Sequence, residues 1–287
     1  MATEDYRALL RPLTRAQDAL ARLEATTVSA SPAVQEGLRA RLAYREAAGW
    51  LAHHGAWIHP VDLTLRDAGL TGSTTAAQFG HRLPSVLPSS SLNGAVPEDP
   101  DVAQALVMAR QWRRLAELRS WVPDIDLKPW LVPENPALLN AAMAARDAET
   151  GQGGHLSVIG QFHAAALWRS EKLQGNPGLM LWSAPIQQLL RLALQPRRTW
   201  LPHYLDCVAE AALQATRELA RLQHAESCAR PQNIEFVLRT PVLTANTLAR
   251  HHAITPRAAQ NQIRALVESG LLREATGRRA WRAYVLA

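Results

Sequence analysis

With 287 residues, 47% hydrophobic and 20% charged, the chain is too apolar to be disordered and too long for one small core, so a globular protein of two domains is expected. A formal charge of +6 and a pI near 10.0 favour acidic partners, nucleic acid among them. No run of about 18 apolar residues occurs and acidic residues stand early in "MATEDYRALLRPL", so no membrane partner and a cytoplasmic location are expected.

Apolar residues recur at helical spacing from Glu4 to Leu23, at Leu9, Leu10, Leu13, Ala16, Leu20 and Leu23, with Pro12 expected to start or kink the helix. Ser31-Pro32 is an N-cap followed by proline at the first helical position, and it announces a second helix to about His54 that Gly55 ends. The stretch "AWIHPVDLTLRDAGLT" mixes short β-like spacing with a His-Pro turn and reads as a connector or short strand rather than a helix. These elements make an N-terminal helical region, 1–68. Residues 69–100, rich in Gly, Ser, Thr and Pro, carry too few apolar positions to bury and read as a mobile excursion.

A helical body is expected over 101–230. Its first helix, in "PDVAQALVMARQWRRLAELRSW", has Val102, Leu106, Ala109, Trp112 or Arg113, and Ala116 on one face, and further helices are expected at Pro136–Glu149, Leu156–Leu173, Pro185–Leu194 and Leu201–Cys228. Cys207 and Cys228, the only two cysteines, fall too far apart along that last helix to bridge, which suits a reducing compartment. His53, His54 and His59 with Asp62 do not make a metal site, because adjacent histidines on a helix diverge by about 100° and a fourth ligand is missing. Helix-end and turn roles are expected for them, and no metal or cofactor.

The ending carries the clearest chemistry. Three helices are expected: Asn233–Leu238, Thr244 to about His251, and one opened by "TPRAAQ", where Thr255 is the N-cap and Pro256 takes the first helical position. "HHAI" is the tight turn between the second and third, and this is helix-turn-helix spacing. On the third helix Ala259, Ile263, Leu266 and Val267 share the core side, while Arg257, Asn261 and Arg264 lie opposite with Gln260 flanking. Arginine pairs with guanine and Asn or Gln with adenine in the major groove, so this face has base-reading chemistry. After Gly270 the pattern turns to period two in "LLREA" and "WRAYVLA" around the turn "TGRR", a β-hairpin wing from which Arg278, Arg279 and Arg282 would meet phosphates or a minor groove. Residues 231–287 are thus expected to be a winged helix-turn-helix domain for double-stranded DNA. Eight arginines and three glutamates there give +5 of the chain's +6. The alternative is a winged helix that serves protein contacts, with its arginines merely solvated.

Residues 201–287, from "LPHYLDCVAEAALQATRELARLQ" to the final hairpin, resemble the proteobacterial, often plasmid-borne helix-turn-helix proteins whose preceding domain has unknown function. "YREAAGWLAHHGAWIHPVDLTLRDAGL" resembles the N-terminal region of the same family. The resemblance implies a sequence-specific DNA-binding protein, a transcriptional regulator. A weaker likeness is to Fic proteins: "LMLWSAPIQQLLRLALQPRRTWLPHYLDCVAEAAL" is similar to the segment after their catalytic loop. Their loop needs a base histidine, an acidic metal ligand and a Gly-Asn-Gly-Arg phosphate cradle, whereas "GQGGHLSVIGQFH" and "LQGNPGLM" offer only Gly175-Asn176 of it. That likeness implies a Fic-like helical scaffold without catalytic residues, so no enzyme is expected; nucleotidyl transfer and a protein-interaction adaptor are the alternatives. The fold expected is mainly α, and pairing into a homodimer is expected from the need of short recognition helices to double their contacts.

Overall fold

Helices carry nearly all the regular structure in the computed structural model, which describes residues 3–53, 58–68, 100–116, 132–150, 158–172, 181, 197–228, 231–276 and 282–287. In order they are α1 (Thr3–Ser29), α2 (Pro32–His53), α3 (Pro60–Asp67), α4 (Pro100–Ala116), α5 (Ala137–Thr150), α6 (Val158–Lys172), α7 (Arg197–Cys228), α8 (Pro231–Arg239), β1 (Leu243–Thr244), α9 (Ala245–His252), α10 (Pro256–Glu268), β2 (Leu272–Glu274) and β3 (Ala283–Leu286). The mainly α expectation is met. Pro12 does not start α1, which begins at Thr3 and runs through it. The expected helix at Pro185–Leu194 and nearly all of the 69–100 excursion lie outside the described residues, and Pro100 already belongs to α4.

The stretch read as a connector or strand contains a helix, α3. Pro60 occupies its first turn rather than a turn between strands, and His59 is its N-cap, accepting from the Val61 N–H through Nδ1 at 3.2 Å. Asp62 in the first turn and Arg66 in the last suit the helix dipole. Eight residues are too few to hold a helix alone, so burial of Leu63, Thr64 and Leu65 supplies what local sequence does not.

The chain forms two compact units that do not follow chain order: Met1–Ala30 with Ala109–Glu218, and Ser31–Met108 with Leu219–Ala287. In the first, α5 packs along α6 and also meets α1. Alanines permit the close approach: Ala141, Ala142, Ala144, Ala164 and Ala165 are buried together with Leu138, Leu139 and Leu167. From α7 the unit buries Trp200 and Tyr204, whose rings stack at 4.6 Å, and the Tyr204 hydroxyl donates to Gln161 Oε1 at 3.1 Å. Arg146 lies over the Trp200 ring at 5.7 Å, and Arg15 of α1 pairs with Asp206 of α7 at 3.2 Å.

In the second unit a three-stranded antiparallel sheet has the order β1-β3-β2, with Leu243 opposite Tyr284 and Leu272 opposite Leu286. One face, carrying Ala275, Ala283 and Val285, packs with Val242 against Leu65 of α3, edged by Val61. Strand alternation sends Leu243, Leu272 and Tyr284 to the other face. Helix α10 contacts β2, α9 packs on α10, and α2 packs on both α3 and α8.

Neither cysteine is bridged: Cys207 is buried in α7 and Cys228 is exposed at its end. Burial, then the adjacent Asp206 charge, pushes the Cys207 thiol up to about 12. A thiol reagent at pH 8 should therefore label Cys228 alone in the native protein and both cysteines in denaturant; rapid double labelling of the folded chain would contradict this packing.

Candidate nucleic-acid interface

The two helices that flank the expected turn are capped by their own sequence. Thr244 Oγ1 accepts from the Thr247 N–H at 3.1 Å, and Thr247 Oγ1 accepts from the Thr244 N–H at 2.9 Å, a reciprocal pair that closes the start of α9. Thr255 Oγ1 accepts from the Ala258 N–H at 3.2 Å at the start of α10, with Pro256 in the first turn. Thr255 is thus engaged in the cap while remaining exposed.

Between the helices the chain reverses at Ala253, whose φ of 52° and ψ of 38° lie in the left-handed region. The Ala253 and Ile254 N–H groups both donate to the Ala249 carbonyl, closing the last turn of α9. Helix α10 ends at Gly270, with φ of 75°; the Gly270 N–H donates to the Val267 carbonyl at 3.0 Å and the Leu271 N–H to the Leu266 carbonyl at 2.9 Å. That paired termination feeds the chain straight into β2.

On α10, Ala259 and Ile263 are buried and Leu266 is half-buried, while Arg257, Gln260, Asn261 and Arg264 are all exposed. Val267, expected in the core, is 37% exposed. On a helical wheel it sits about 60–80° from the Ala259–Ile263–Leu266 axis, at the edge of the buried stripe. Glu268 is exposed on the same side as Arg257 and Arg264, so the cationic face ends one turn beyond Arg264.

No Asp or Glu occurs from Phe236 to Val267, which leaves Arg250 and Arg257 without a neighbouring carboxylate along the sequence, while Arg264 meets its first at Glu268, four positions on. Arg250 is exposed in the last turn of α9 and Asn246 is exposed in its first. Neither stood among the sequence candidates. The acid-free run was the signal that could have raised them. Phe236 of α8 stacks on His251 at 3.9 Å with His252 edge-on, so these histidines are packed against an aromatic ring at the end of α9.

Of the three arginines expected on a wing, Arg278 and Arg279 lie outside the described residues. Arg282 is exposed and pairs with Glu274 across β2 and β3 at 3.9 Å, with side chains 52% and 31% exposed, an arrangement worth about 0–1 kcal/mol. Arg273, on β2, has its pKa lowered by burial and then by the Arg221 charge. Among the described residues no group of three His, Cys, Asp or Glu is placed to hold a metal. His163, on α6, has its pKa lowered by burial, whereas His155 and Gly175-Asn176 lie outside the described residues.

The left-handed residue in the turn yields a stability test. A side chain there costs about 1–2 kcal/mol that glycine avoids, offset in part by glycine's greater unfolded-state freedom. Ala253→Gly should raise stability by about 0.5–1 kcal/mol in urea unfolding, and Ala253→Val should lower it; equal midpoints for all three proteins would refute the turn geometry.

No curated protein matches the chain. Residues 230–286 match a protein-family model described as an HTH DNA binding domain, so α8 through β3 form a DNA-binding helix-turn-helix domain.

Proposed function

We propose that the chain is a sequence-specific double-stranded DNA-binding protein that regulates transcription, with α10 as the base-reading helix and the segment between β2 and β3 as a wing. The observation that carries this reading is the outer face of α10. Arg257, Asn261 and Arg264 are exposed there beside Gln260, on a helix fixed at both ends by its caps, before any carboxylate intervenes. Glu268 would repel phosphate, which favours an approach in which the first turns of α10 enter the major groove.

Backbone contacts complete the reading. Arg250 and the start of α9 are suited to phosphates flanking the groove, and the arginines Arg278, Arg279 and Arg282 supply further charge for backbone contacts. A single helix of this length reads few bases, so two chains on a site with two-fold symmetry fit the reading best.

The test begins by selecting a preferred duplex from a randomised pool and measuring affinity for it and for a scrambled duplex at several salt concentrations. Arg257→Ala, Asn261→Ala and Arg264→Ala should each lose roughly 1–3 kcal/mol on the preferred duplex and much less on the scrambled one. Arg278→Ala and Arg279→Ala should weaken both duplexes alike and flatten the salt slope by about one per lost contact. Equal losses on both duplexes for the α10 variants would mean that another surface carries specificity.

A further inference from the structure

The C-terminus of α8, the first helix of the DNA-binding domain, is held from far upstream. Arg41 of α2 donates through Nη1 to the Leu238 carbonyl at 2.6 Å and through Nη2 to the Thr240 carbonyl at 3.4 Å. A helix end leaves its last carbonyls without intrahelical partners, and here Pro241 follows and offers no N–H, so a guanidinium is well suited to the position. The charge of Arg41 also meets the negative end of the α8 dipole. Nη1 donates in addition to the Gly37 carbonyl at 3.0 Å, which fixes the fork on its own helix.

Two neighbours on α2 serve the same junction. A Cβ on Gly37 would lie 2.2 Å from the Leu238 carbonyl oxygen, so α2 and α8 can approach this closely only because position 37 is glycine. Glu36 pairs with Arg239 at 3.3 Å, on the last residue of α8. From there the contacts continue inside the domain: Phe236 of α8 stacks on His251, two residues before the left-handed turn at Ala253 that aims α10.

We infer that Arg41, seated by Gly37, is a positioning residue for DNA binding: it sets α8, and through the Phe236–His251 stack the turn before α10, while touching no nucleic acid itself. This rests on the DNA-binding reading for its affinity arm only. The guanidinium is half-buried with its nitrogens on three carbonyls, so it supplies orientation in place of a phosphate contact.

The experiment uses the full chain with Arg41→Met, which keeps the stem and removes the donors, and Arg41→Lys, which keeps the charge and a single donor centre. Affinity for the selected duplex, its salt slope, and amide hydrogen exchange along α8 and α9 are measured for each. Arg41→Met should bind about tenfold or more weakly with an unchanged salt slope, and exchange faster at the end of α8 and in α9. Arg41→Lys should recover part of both losses, and it carries the test if the Met variant does not fold. A salt slope smaller by about one would make Arg41 a phosphate ligand and overturn the inference. Wild-type affinity and exchange in both variants would overturn it equally. If the wild-type protein binds no duplex, the DNA reading fails, and the exchange measurements still decide the role of Arg41.

Discussion

The contact on which the DNA-binding unit depends is the approach of α2 to α8 at Gly37. There the Leu238 carbonyl occupies the space where any other residue would carry a Cβ, and Arg41 closes over the same carbonyl. Helix α8 packs through Ile234, Val237 and Leu238, and two residues past Pro241 the chain enters β1, which pairs with β3. A shift of α8 would therefore move the sheet edge and the α9 end together. Leu65 of α3 acts from the other side by covering the sheet face that carries Ala275, Ala283 and Val285. The exposed face of α10 is presented by a body whose parts come from both 31–68 and 219–287.

Local chemistry accounts for the precision of the turn itself. Thr244 with Thr247, and Thr255 with Pro256, define where each helix begins, and Gly270 defines where α10 stops. Each cap satisfies donors or carbonyls that would otherwise be orphaned. Ala253 is the exception: a residue with a Cβ holds the left-handed position, and strain persists there because the helices on both sides over-determine the path.

That contrast explains what was legible in the sequence. Thr255-Pro256, the 3.6-residue spacing of Ala259, Ile263 and Leu266, and the opposite placement of Arg257, Asn261 and Arg264 are short-range patterns, and the structure follows them. Val267 strayed because the wheel places it at the edge of the stripe, where burial depends on what packs alongside. Helix α3 is not legible as a helix because His59-Pro60 is equally the start of a helix and a turn between strands, and only burial against the sheet decides between them. Gly37 and Arg41 gave no sign at all: a glycine within a helix and an arginine on its side acquire meaning only from a carbonyl 197 positions along the chain from Arg41.

Long-range closure is common to both compact units. Arg15 reaches Asp206 across 191 positions in one, and in the other Ser31 reaches Glu226 across 195 and Arg41 reaches Leu238 across 197. Neither unit can finish its core until both of its segments are present, since closing such loops takes entropy that only the completed packing repays. The helix-turn-helix motif has its own caps and turn, so its secondary structure can form early. Its α8 anchor and the cover on its sheet come from α2 and α3, so the geometry of the exposed face of α10 is tied to those upstream helices as well as to the motif's own residues.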